Sequence, residues 1–212
     1  MSNIKMAAPE LAHVEVHGMT REAFMARSVI AAGSVYGLAT VGPFVREAIA
    51  QEGGGDLEIL NFALTLEYLE SAFYTMALKQ VSGLSGQVKE TATQLADDES
   101  QHVDALTMTI KDLGGTPVKA PGVDFGEAFA SQGSFLETAQ TFEDLGVGAY
   151  NGAGPMIESK EVLAAAGSIV QVEGRHAGVI RLLRGEQISP SAFDKGLGMQ
   201  EVLDAAKPFI KA

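Results

Sequence analysis

TLEYLESAFYTMA, residues 65–77, shows a fold in its apolar positions and a chemistry in the exceptions to them. Wound at 3.6 residues per turn with its neighbours, the stretch is apolar over well more than half its circumference. Leu60, Leu66, Leu69, Phe73 and Ala77 lie on that side. Asn61, Thr65, Tyr68 and Thr75 form a narrow polar side. Glu67, Glu70 and Tyr74 nevertheless fall inside the apolar arc. A carboxylate in a helix core costs several kcal/mol unless something pairs with it. At least one of these glutamates therefore has a partner waiting inside.

The pattern returns later in the chain. TFEDLGVGAYNGA, residues 141–153, repeats it as Thr, apolar, Glu, one residue, Leu, four residues, Tyr, two residues, Ala. A second pair of stretches also matches, ADDESQHVDAL (96–106) against VQVEGRHAGVI (170–180). Both of these carry Glu-x-x-His, at Glu99/His102 and Glu173/His176. The chain thus holds two copies of one helical hairpin. The repeat also separates the two glutamates of the opening stretch. Glu67 recurs as Glu143, whereas the position of Glu70 is taken by Gly146. Glu67 is the expected ligand and Glu70 a neighbour.

Spacing supplies the chemistry. Residues i and i+3 share a helix face, so each Glu-x-x-His offers a carboxylate and an imidazole to one point. Residues i and i+7 share a face too, which places Tyr74 and Tyr150 two turns from Glu67 and Glu143 as candidate catalytic residues. Four inward carboxylates carry about −4, which no dry core tolerates. Two divalent ions would neutralise it. The expected metal ligands are Glu67, Glu99, His102, Glu143, Glu173 and His176. One Glu from each of two helices and one Glu-x-x-His from each of two others is the donor set of di-iron and di-manganese carboxylate bundles. Iron is the expected metal, with manganese as the alternative because oxygen ligands suit it as well. Stripped of metal, the four clustered carboxylates should repel one another and titrate above their ordinary range.

Working outward, helical periodicity predicts helices over roughly 57–82, 86–113, 134–153 and 159–185. The joins are short between the first two and between the last two, and long (114–134) in the middle. Short, long, short is the connectivity of two antiparallel hairpins joined by a crossover. No alternating pattern or Asn-Gly turn competes, so the expected class is all-α, a four-helix bundle over 51–186. The tail, 187–212, carries Pro190, Gly196, Gly198 and Pro208 and has room for a short helix around 199–206.

Upstream, residues 1–50 read as an arm followed by an Ala/Gly-rich helix. His13 and His17 in HVEVH are four apart and could grip a metal if helical, but the expected reading is a solvated arm. From Ser28 to Val45 no residue is charged, and Ala48-Ile49-Ala50 follows, the layout of an export signal with a small-residue cleavage site. TREAFMA also looks like a twin-arginine signal whose second arginine has become Glu22. That charge reversal, with Gly33, Gly37, Gly42 and Pro43 interrupting the run, favours a retained helix that packs on the bundle or on a second subunit. A cytoplasmic homo-oligomer is the expectation, and export with cleavage near Ala50 the alternative. No membrane contact is expected.

Composition removes other classes. The chain has 212 residues, 46% of them hydrophobic, enough for one domain with a real core. The net charge of −12 leaves no basic stripe to meet phosphates, so nucleic acid is not an expected partner. With no cysteine, disulfides, thiolate metal sites and thiol nucleophiles are excluded.

LTLEYLESAFY (64–74), the paired Glu-x-x-His motifs and the Ala/Gly-rich leader together resemble the ferritin-like superfamily over about 57–185. The likeness is closest to the bacterial ferritin-like domain family that includes desiccation-related proteins. The resemblance implies that Glu99 and Glu173 bridge two metals, that Glu67 and Glu143 are terminal ligands, and that each histidine caps one metal. It implies a redox function, in which ferrous iron is oxidised or O2 or peroxide is consumed, with Tyr74 and Tyr150 holding carboxylates or lending an electron. A dimanganese site with catalase-like chemistry is the nearest variant. A metal-binding stress protein or a self-assembling protein with little turnover is the alternative from another class. Nothing in the chain specifies a 24-subunit cage.

Overall fold

Ser85, Ser131 and Ser159 each stand immediately before a helix and accept a hydrogen bond from a backbone N–H of its first turn. They open three of the five α-helices found in residues 55–211, the part of the chain that the computed structural model describes. The helices are α1 (Asp56–Gln80), α2 (Gly86–Asp112), α3 (Gln132–Ala153), α4 (Lys160–Leu183) and α5 (Met199–Ala206). Helix α3 begins two residues before the periodicity predicts, because Ser131 and Ser134 form a reciprocal capping box in SQGS. The arm and Ala/Gly-rich helix expected within 1–50, with their export-like alternative, lie outside the described residues.

Helix α1 packs along α2, and α3 along α4. These two hairpins pack on each other through α1 with α3 and α2 with α4. The result is the expected all-α bundle of two hairpins with a crossover, followed by the short helix α5. Among the described residues there is no strand, only an isolated antiparallel bridge between Val123 and Ile210. Also among them, no helix is long and apolar enough to cross a membrane.

The apolar residues form two groups rather than one. The larger holds the C-terminal half of α1, the start of α2 and a set of phenylalanines, among them Phe73, Phe125, Phe135 and Phe142. The other gathers Leu60 and Leu64 of α1, Leu106 and Ile110 of α2, and Val162 and Ile169 of α4. The middle turns of all four long helices lie between the groups, and the buried glutamates sit there.

Two polar ties hold the hairpins in register. The Asp56 carboxylate accepts from the Glu158 and Ser159 N–H groups, both at 2.8 Å, which joins the start of α1 to the start of α4. Asn61 corrects a reading made from the sequence. It lies with Thr65 on the side expected to be polar, yet both are buried. The crossover folds over that side: Asn61 Oδ1 accepts from Val118 N–H at 2.8 Å, and Asn61 Nδ2 donates to the Thr116 carbonyl at 3.4 Å. Thr65 returns its hydroxyl to the Asn61 carbonyl. An amide that replaces the hydrogen bonds of a passing loop can be buried without loss.

The tail lies directly on α3. Leu197 N–H donates to the Gly148 carbonyl at 2.8 Å. A Cβ added at Gly152 would stand 1.9 Å from the Leu197 carbonyl oxygen, so only glycine permits this approach.

Candidate metal centre

Each of the six side chains expected to bind metal is buried, and the four glutamates Glu67, Glu99, Glu143 and Glu173 are fully so. They come from mid-helix positions, one on each of α1 and α3 and a Glu-x-x-His on each of α2 and α4. Two quartets result. Glu67, Glu99, His102 and Glu173 bring one ligand atom each to within 4.8 Å of one another, and so do Glu99, Glu143, Glu173 and His176. Glu99 and Glu173 belong to both. Glu70 is equally buried but belongs to neither quartet.

Both imidazoles turn Nδ1 inward. His102 Nδ1 stands 3.0 Å from Glu99 Oε2, 3.1 Å from Glu173 Oε1 and 3.2 Å from Glu67 Oε2. His176 Nδ1 stands 2.8 Å from Glu99 Oε1 and 3.5 Å from Glu143 Oε2. Several of these approaches are close but not aligned as hydrogen bonds. Glu99 Oε1, Glu143 Oε2, both oxygens of Glu173 and His176 Nδ1 are buried with no hydrogen-bonding partner among the described residues. Donor atoms that converge without pairing are what a cation would require. Carboxylates with imidazoles and no thiolate suit iron or manganese, and the donor set fits a pair of divalent ions.

Spacing along one helix sets each tyrosine two turns from the glutamate of its own helix, with a carboxylate to hold as its expected task. In the structure each serves the other hairpin. Tyr150 of α3 donates to Glu67 Oε1 of α1 at 2.5 Å, and Tyr74 of α1 donates to Glu143 Oε1 of α3. The exchange obeys the two-fold relation between the hairpins.

Similarity to known proteins agrees with this geometry. The sequence model described as the ferritin-like domain matches residues 55–186. The chain belongs to the ferritin-like domain family. A solved structure similar to it is that of a ferritin-like, diiron-carboxylate protein from Bacillus anthracis str. Ames, at 26% identity and a TM-score of 0.52. That match covers 67% of this chain and 98% of the other. Among curated proteins no match is found.

Within this ferritin-like domain the charges do not all respond alike. Burial raises Glu67 to about 7, against the pull of His102. Burial also raises Glu143, and it lifts Glu70 and Glu173 well above the carboxylate range with help from their charged neighbours. Glu99 departs from the expectation of uniform repulsion. Burial works to raise it, but His102 and His176 both sit on it and hold it at about 2. Burial opposes the imidazolium at His102, yet Glu173, Glu67 and Glu99 push it up to about 12. Glu143 and Glu99 overcome burial at His176 in the same way, to about 11. Burial, and then the carboxylate each one meets, pushes Tyr74 and Tyr150 well above the usual phenol range, so both remain donors at neutral pH.

One residue of the site has no signal in the repeat. Asp98 Oδ2 stands 3.2 Å from His176 Nε2, the nitrogen that faces away from the centre. The matching position in the second copy is Val172, so reasoning from the repeated residues passes over it. A carboxylate one residue before Glu-x-x-His is the signal that could have found it.

Proposed function

We propose that this ferritin-like domain holds two divalent metal ions, iron in the first place, and reduces O2 or peroxide with them. The observation that carries the reading is the pair of quartets that share Glu99 and Glu173. Glu99 and Glu173 would serve both ions, with Glu67 and His102 holding one and Glu143 and His176 the other. When bound, such a pair would supply two electrons, one from each ferrous ion, which with two protons from solvent take hydrogen peroxide to two waters or O2 to hydrogen peroxide.

The chain's own residues do the rest. The carboxylates of Glu67, Glu99, Glu143 and Glu173 balance the charge of two divalent ions, and the two Nδ1 atoms fix the ends of the site. Tyr150 and Tyr74 each occupy one oxygen of Glu67 and Glu143, leaving the other oxygen to face inward. The apolar groups on both sides keep bulk water from the centre. Asp98 accepts from His176 Nε2 and so sets Nδ1 as the free, ligating nitrogen.

Metal analysis of protein purified without chelator, with anomalous scattering from its crystals, tests the site, and two ions per chain are expected. Peroxide and ferrous-oxidation assays on protein reloaded with iron or manganese then test turnover. Iron-loaded protein that consumes neither oxidant would overturn the redox part. Activity confined to manganese would move the reading to the catalase-like variant.

A further inference from the structure

Among the described residues, Glu70 is the one buried carboxylate that the two quartets leave unused. It is 2% exposed, and neither of its oxygens has a hydrogen-bonding partner among the described residues. An ionisable side chain is not kept in that condition unless something else meets it. Its position within the two-fold arrangement shows what makes room for it. The residue related to Glu70 is Gly146, and a Cβ built there would meet Glu70 Oε1 at 3.2 Å and Glu173 Oε2 at 3.0 Å. Both contacts are tighter than side-chain packing normally allows. The missing side chain of α3 is therefore the space in which the carboxylate of α1 lies, beside a glutamate common to both quartets.

Gly146 has no other evident use. It lies inside α3, where glycine costs about 1 kcal/mol relative to alanine, and its φ is not in the left-handed region. The tail rests on Gly148 and Gly152, not on Gly146. A helix-weakening residue is retained where it admits one particular carboxylate.

We propose that Glu70 is a fifth carboxylate of the centre, admitted by Gly146, and that on loading it supplies a ligand to one ion of the pair. The proposal rests on the two-metal reading above. It makes the two positions unequal, because the space on the axis holds one extra carboxylate rather than two.

Cobalt(II) titrated alone into the full chain, in competition with a chromophoric chelator, tests it. The ligand-field bands of cobalt report coordination number independently of any turnover. Glu70→Ala and Glu70→Gln should each still bind two ions, one of them at least about tenfold more weakly, with altered band intensity. Gly146→Ala should reproduce the change while Glu70 remains, because the added methyl displaces its carboxylate. Circular dichroism of each variant confirms that the helices are intact before titration. Wild-type affinity and wild-type bands in both Glu70 variants would overturn the proposal, as would weaker binding with unchanged bands. Glu67→Ala keeps the two readings apart. If it too binds as wild type, the two-metal reading fails, whereas loss in Glu67→Ala without loss in the Glu70 variants removes only the fifth carboxylate.

Discussion

Tyr150 donates its hydroxyl to Glu67 across the boundary between the two hairpins, at 2.5 Å and at a sequence separation of 83. Tyr74 does the same for Glu143 in the opposite direction. Each hairpin therefore orients a carboxylate of the other. Tyr150→Phe should strand a buried oxygen of Glu67 and destabilise the protein by about 1–3 kcal/mol. It should also weaken the metal position that holds His102 and spare the one that holds His176. Tyr74→Phe should do the reverse. Melting curves and metal titrations of the two variants check this, and loss at the same position in both would contradict the exchange.

The stability of chelator-treated protein should fall as pH rises from about 5 to 8. Glu67, raised from 4.5 to about 7, binds its proton more tightly folded than unfolded, so its contribution is lost as pH climbs through that interval. His102 and His176, raised from 6.5 to about 12 and about 11, contribute fully below 6.5 and lose that contribution progressively above it. Glu99 acts in the opposite sense, but only in acid, as pH falls from 4.5 toward about 2. Metal ions replace these protons, so the stabilisation that metal confers should grow with pH. Paired melts with and without metal measure it, each kcal/mol appearing as about 2–4 °C. A gap that shrinks with rising pH would contradict the assignment.

Asp98→Ala should lower affinity at one metal position by about 10- to 100-fold and leave the other unchanged, since an outer carboxylate fixes the ring it contacts. His176 has this partner, while the position equivalent to Asp98 in the second copy is Val172. A titration showing equal loss at both positions would rule out this local action.

Gly152→Ala should destabilise the domain by about 1–3 kcal/mol and expose the tail to proteases, because the new Cβ meets the Leu197 carbonyl. Gly167→Ala, a helix position with nothing within 4 Å, should instead stabilise it by up to about 1 kcal/mol. Urea melts and limited proteolysis distinguish the two.

The helices and the six converging side chains were legible because the chain states its chemistry twice, and two aligned copies cancel the ambiguity of either alone. What escaped depends on contacts between copies or with loops. The tyrosine exchange is invisible in a helical wheel, which shows neighbours along one helix and none across to another. Asn61 looked solvent-facing because the wheel omits the crossover that hydrogen-bonds to it. Glu99 defied simple repulsion because both histidines converge on it, a fact of packing and not of spacing. Asp98 escaped because it breaks the repeat, and a reading built on recurrence discounts whatever does not recur.

Gly146 also bears on the ancestry of the bundle. A doubled hairpin invites derivation from a symmetric pair of identical hairpins, later fused into one chain. Such a pair built from the first hairpin would set a second glutamate where Gly146 now stands, with its Cβ 3.2 Å from the existing Glu70 oxygen. Two carboxylates cannot share that spot, so the present halves are no longer interchangeable. A second copy of the first hairpin could not stand in for the second, so each hairpin is committed to its own side of the axis.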